Sequence, residues 1–183
     1  MMLSFSGLAQ QQPQRVLHLS FDKQSFFLPS AENFGGTFHP GVSGGIDFLR
    51  MEDQKKSRYI TTELGFYHHS HFQNSVYLLG GFRFQRSLGE RFSWNYAPKA
   101  GYMHVFTPTK EFELKDGEYV IKKGGRPTGL LGVSIGLDYT IIEKSSTKLS
   151  LEYQLLGEGP FAINWGVPVA PHTFLSVGFK TSL

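Results

Sequence analysis

The sequence predicts an all-β protein, a closed antiparallel up-and-down barrel of about eight strands that crosses a membrane. Three observations predict it. Apolar and polar residues alternate with period two in eight segments, several reaching ten or more residues where a globular strand averages about five or six. No apolar run reaches the ~18 residues of a spanning helix, and no long stretch keeps a 3.6-residue apolar period. The 183 residues include 17 Phe, 8 Tyr and 21 Gly, a bias that suits sheets. Strand barrels escape hydropathy scans because only every second residue meets lipid.

In chain order, residues 1–9 read as the remnant of a secretory signal, with Gly7-Leu8-Ala9 as a small-residue cleavage site before three glutamines; the fold is expected within 10–183. Segment 15–22 sets Leu17, Leu19 and Phe21 against His18 and Ser20. Segment 39–50 sets Val42, Ile46 and Phe48 against Ser43, Gly45 and Asp47. In 57–70, Ile60, Thr62, Leu64 and Phe66 oppose Thr61, Glu63, Gly65 and Tyr67. In 75–86, Val76, Leu78, Phe82 and Phe84 oppose Leu79, Gly81, Arg83 and Gln85. Segment 92–107 places Trp94, Tyr96, Ala100 and Tyr102 opposite Asn95, Lys99 and Gly101. Segment 127–142 has an unbroken apolar set from Leu131 to Ile141 against Gly132, Ser134, Gly136 and Asp138. Segments 147–156 and 172–183 complete the set, with Ser150, Glu152 and Gln154, then Ser176, Gly178 and Lys180, on their polar sides. Eight is an even number, as bacterial single-chain barrels require.

The links give the barrel a direction. Those at 51–56, 87–91 and 143–146 are short and polar, whereas 23–38, 108–126 and 158–171 are long; only 71–74 breaks the pattern. Short turns at the periplasmic end and long loops outside are the asymmetry of outer-membrane barrels, so the expected location is the bacterial outer membrane. Within 108–126, Asp116-Gly117 between alternating flanks predicts a hairpin projecting above the membrane. Loop 158–171, with Pro160, Phe161, Trp165, Pro168 and Pro171, is stiff and apolar enough to fold over the mouth.

Face polarity separates a membrane barrel from a soluble one, whose polar set would face water. The polar sets here are Gly, Ser, Gln and Asn with single charges. Asp47, Glu63, Asp138 and Glu152 stand against Arg83, Lys99 and Lys180, the composition of a filled interior in which each charge needs a partner. Aromatics are expected as girdles: Tyr59, Phe92, Trp94, Tyr96, Tyr139 and Phe179 at the periplasmic boundary, and Phe66, Tyr67, Tyr77, Tyr102 and Phe106 at the outer one.

Leu175, Val177, Phe179 and Leu183 alternate in phase to the end of the chain, which resembles the assembly signal of outer-membrane barrels and implies the barrel-assembly machinery as a partner. Thr181 and the terminal Leu183, where Phe is usual, are the departures. Residues 14–183 resemble, in architecture, the small outer-membrane β-barrel proteins common in Bacteroidota, many of which have no known activity.

Candidate chemistry concentrates in Tyr67-His68-His69-Ser70-His71. Neutral imidazoles bind divalent metals, and His69 and His71 share a strand side, with His104 and His172 at the same level; polar residues leaving the membrane are the plainer account. His68 and Ser70 have the His-x-Ser spacing that resembles the lipid A deacylase barrels, which implies His as base and Ser as nucleophile on a lipid-facing side. That family follows the Ser with Asn, where His71 stands here, and no carboxylate on a neighbouring strand completes the set.

Without cysteine there are no disulfides or thiolate metal sites. A scattered net charge of +3 gives no basic face for nucleic acid. Nothing resembles a phosphate-binding loop, a dinucleotide fingerprint or a nucleophile elbow, and no cofactor is expected. The reading is a non-enzymatic barrel with a filled polar interior, embedded in outer-membrane lipid. Its extracellular loops would bind a protein or glycan, or the barrel would reinforce the membrane. An outer-leaflet lipid-modifying enzyme using His68 and Ser70 is the alternative.

Overall fold

The computed structural model describes residues 15–26, 39–53, 55–69, 73–107, 112–115, 117–121, 124–160 and 168–183. Eight long strands form a closed barrel: β1 (Arg15–Phe26), β2 (His39–Asp53), β3 (Lys56–His68), β4 (Asn74–Ser87), β5 (Phe92–Phe106), β8 (Arg126–Ile142), β9 (Thr147–Gly159) and β10 (Ala170–Ser182). The short strands β6 (Phe112–Lys115) and β7 (Glu118–Ile121) form a separate two-stranded ribbon. Lys115 pairs with Glu118 across its turn, where Gly117 takes a φ of 84° that an L side chain rarely adopts.

Every ladder is antiparallel, and β1 closes on β10 over eleven pairs from Val16↔Ser182 to Phe26↔His172. The closing strand is therefore the segment near the start of the chain, and it runs to Phe26, into the stretch expected as a link. Following partners once around the wall fixes the stagger. Val16 leads to Asp47, Thr61, Gly81, Lys99, Gly132, Leu156, His172 and back to Phe26, ten residues further along β1. A shear of ten over eight strands corresponds to a strand tilt of about 43°, within the range that lets side chains fill the lumen.

Alternation then decides what each face meets. Phe21 is 72% and Leu131 71% exposed, whereas Arg83 is 1% and Lys99 2% exposed. Apolar side chains point outward and charged ones inward, the inverse of a soluble barrel, and the outward set is stable only under lipid. On β8 the outward residues from Leu131 to Ile141 rise about 24 Å at about 3.3 Å per residue along the tilted strand, matching a lipid belt of about 25 Å. Register shifts at Leu49/Met51 and Thr140/Ile142 fall at the short-turn end, where extra residues bend strands out of the ladder.

The girdle expectation needs correction at three positions. Tyr59, Tyr67 and Tyr77 are 8%, 0% and 1% exposed and face the lumen. Phase governs here: Tyr67 falls in step with Glu63 and Tyr77 with Leu79, and a one-residue step flips the face. Tyr77 lies over Gly65, where a Cβ would collide with its ring. The signal remnant and Phe161 and Trp165 of the stiff loop lie outside the described residues.

Candidate functional site

The lumen is filled in layers. At the short-turn end, Arg83 on β4 places Nε 3.1 Å from Asp47 Oδ2 on β2, and its Nη1 donates to Glu152 Oε2 on β9 at 2.7 Å and to Asn95 Oδ1 on β5 at 2.6 Å. Lys99 on β5 donates to Glu63 Oε2 (2.6 Å), Glu152 Oε1 (2.8 Å) and Gln154 Oε1 (2.6 Å). Lys180 on β10 donates to Asp138 Oδ1 at 2.9 Å, and the Asn95 amide donates to Asp138 Oδ2 at 2.9 Å. The structure thus brings Asp47, Glu63, Arg83, Lys99, Asp138, Glu152 and Lys180 into one network, all at most 9% exposed. Glu152 is its hub, since both its oxygens are shared between cations from facing strands.

Three partners of that network were not singled out in the sequence. Asn95 bridges Arg83 and Asp138, Gln154 caps Lys99, and the Tyr77 hydroxyl donates to Glu63 at 3.3 Å. His18 joins at the side, its Nε2 3.2 Å from the Thr62 carbonyl and 3.8 Å from Asp47. It reaches across β2 because Gly45 stands between; a Cβ there would meet both the Thr62 oxygen and the imidazole. A void of about 20 Å³ beside His18, Ser43 and Glu63 has room for about one water.

Above this network lies an apolar layer of Tyr77, Leu79, Leu130, Leu156 and Phe174, continued outward by Tyr67, Met103 and Val105. Above it again is a second polar group. His172 Nε2 donates to Glu158 Oε2 at 2.8 Å, while its Nδ1 faces two donors, the Gln24 amide (3.3 Å) and the Tyr67 hydroxyl (3.4 Å). Arg126 donates to the other Glu158 oxygen at 2.6 Å, and Gln73 donates to the Tyr67 hydroxyl. Glu158 lies four residues beyond Gln154 in the phase of Glu152, a signal visible only if the strand is carried past 156.

The histidine-rich corner is partly described. His68 ends β3 facing outward, its Nδ1 2.6 Å from Asn74 Oδ1. His69 stacks on His39 with ring centroids 3.5 Å apart. Ser70 and His71 lie outside the described residues. His104 faces out and pairs with the Tyr102 hydroxyl at 2.7 Å, whereas His172 faces in, so the two do not converge. Among the described residues, no three His, Asp or Glu side chains are grouped to hold a metal ion. An apolar groove of about 740 Å³ runs along the outer wall past Phe21, Val42, Phe66 and Val177, with Lys23 and His68 also lining it.

An apolar exterior of bilayer height, a charged lumen and a closed eight-strand order define the class: a transmembrane β-barrel of the outer-membrane kind. Among solved structures the chain is similar to Ail, the attachment invasion locus protein of Yersinia pestis, at a TM-score of 0.56 and 8% identity over 94% of this chain and 99% of that one. Ail in complex with the heparin analogue sucrose octasulfate gives a TM-score of 0.54 at 8% identity, over 94% and 99% of the two chains. The outer membrane enzyme PagL gives a TM-score of 0.50 at 9% identity, over 90% of this chain and 97% of that one. At such identities the likeness concerns the fold alone. No family model and no curated protein matches the sequence.

Proposed function

We propose that this barrel is a non-enzymatic outer-membrane scaffold that acts through its extracellular loops, binding a protein or glycan outside the cell. The observation that carries the reading is the layered lumen: a charge network, then an apolar layer, then the Glu158–His172 group. A filled interior leaves recognition to what projects. The β6–β7 ribbon stands apart from the barrel sheet, and a two-stranded ribbon offers strand edges to a partner.

Replacing residues 108–125 by an Asn-Gly link tests this. Cells displaying the parent barrel should adhere to immobilised extracellular-matrix protein or heparin, and cells displaying the shortened barrel should not, with heat-modifiable gel migration kept in both. Equal adhesion by the two would remove the ribbon from the reading. Lipid A mass spectra from cells carrying the parent and Ser70→Ala should be identical; a difference would replace the scaffold with the lipid-modifying enzyme. Assembly through the barrel-assembly machinery, using the alternating outward residues of β10, belongs to the same proposal.

A further inference from the structure

We propose that the outer wall of β1–β4 carries, at the periplasmic rim, a binding strip for the phosphate headgroups of anionic phospholipid. Arg15 on β1, Arg50 at the bulge of β2, Lys56 and Arg58 on β3, and Arg86 on β4 are all exposed. Register places them together below the apolar belt. Arg86 stands directly opposite Lys56, and Met51, beside Arg50, stands opposite Arg58. In strand phase these residues belong with the lipid-facing Leu17, Phe48, Ile60 and Phe82, not with the lumen.

The second observation is what each arginine stands against. Arg15 is the cross-strand partner of Phe48, Arg58 of Phe84, and Arg86 of Trp94. The Arg58 guanidinium lies 6.0 Å from the centre of the Phe84 ring. Aromatic rings settle at the edge of the hydrocarbon, and a long cationic side chain beside them carries its head out to the phosphate plane. A planar guanidinium donates two parallel hydrogen bonds to a phosphate, so a row of them suits phosphodiester oxygens. The aromatic partners favour a lipid surface over a soluble acidic protein, which would not need rings at hydrocarbon depth.

Among strand positions the strip is confined to one side; the exposed cations elsewhere on this rim sit in the short turns, Arg91 paired with Glu143 at 3.3 Å and Lys144 next to it. In the described residues of β5, β8, β9 and β10, no Arg or Lys faces outward at this rim. Lys99 and Lys180 are buried in the lumen, Lys148 follows the inward phase, and the outward positions are Phe92, Tyr139, Leu149 and Phe179. Asp53, opposite Lys56, and Glu52, opposite Ser57, are exposed acidic neighbours of the row. Short turns place this rim in the periplasmic leaflet, which is built of phospholipid.

The test reconstitutes the whole barrel in vesicles of phosphatidylcholine with a minor share of spin-labelled phosphatidylglycerol or spin-labelled phosphatidylcholine, and reads the motionally restricted lipid by electron paramagnetic resonance. The parent should favour phosphatidylglycerol about two- to fivefold, and the preference should fall as salt rises. R50Q/R58Q/R86Q should bring it to roughly parity while keeping heat-modifiable migration. R50K/R58K/R86K, which keeps the charge, should retain most of it and guards against a folding artefact. No preference in the parent, or the same preference in the glutamine variant, overturns the proposal. So would capture of an acidic periplasmic protein by the strip with lipid preference unchanged.

Discussion

The two halves of the lumen fill the same narrow space by different means. Near the short turns the space is taken by Arg83, Lys99, Lys180 and the carboxylates between them; above them, and beneath the Glu158–His172 group, it is taken by Leu79, Leu130, Leu156 and Phe174. The charged half depends on reciprocity. Each carboxylate oxygen of Glu152 is committed to a different cation, so no member can leave without exposing another to a medium that cannot solvate it. The apolar half depends only on volume, and its contacts are individually small. A deletion should therefore propagate in the first half and stay local in the second.

Glu152→Ala should be the most damaging change, because it removes one partner from Arg83 and from Lys99 at once. Losing one side of a buried ion pair costs about 3–5 kcal/mol, read as a lowered urea midpoint for unfolding from lipid vesicles. If the loss were below that of a single apolar truncation, the reciprocity argument would fail. Leu156→Ala should cost about 2–3 kcal/mol, the transfer and cavity terms of one leucine, with the heat-modifiable shift kept. Tyr67→Phe removes a hydroxyl bonded to Gln73 and near His172, and should cost about 1 kcal/mol by the same measurement. Met103→Leu, nearly volume-conserving inside the apolar layer, should stay under about 1.5 kcal/mol and close to zero if the site repacks.

Much of the fold was legible because period-two alternation needs no knowledge of partners. Phase alone sorts Leu131, Val133 and Ile135 from Gly132 and Ser134, and eight such segments with alternating short and long links imply the closed order. The arrangement inside was less legible. Lys99 and Glu152 lie 53 residues apart in sequence, and only the ten-residue stagger brings β5 and β9 side chains to one level. Asn95 and Gln154 gave no signal as single residues, since an amide becomes a bridge only once its neighbours are placed. Residue type does not place Tyr59, Tyr67 and Tyr77, because a tyrosine suits both a membrane boundary and a polar lumen. Their phase was the better guide than their type.

The ladder between β1 and β10 carries a final consequence. Leu183 N–H donates to the Arg15 carbonyl at 2.8 Å, so the two ends of the described barrel meet within one hydrogen bond of each other. That seam has the same antiparallel pairing as every other pair of neighbours in the wall. The barrel therefore has no structurally privileged opening strand. A circular permutant joined between β10 and β1 and cut in an outer loop contains the same eight ladders, and only the order in which they are synthesised differs.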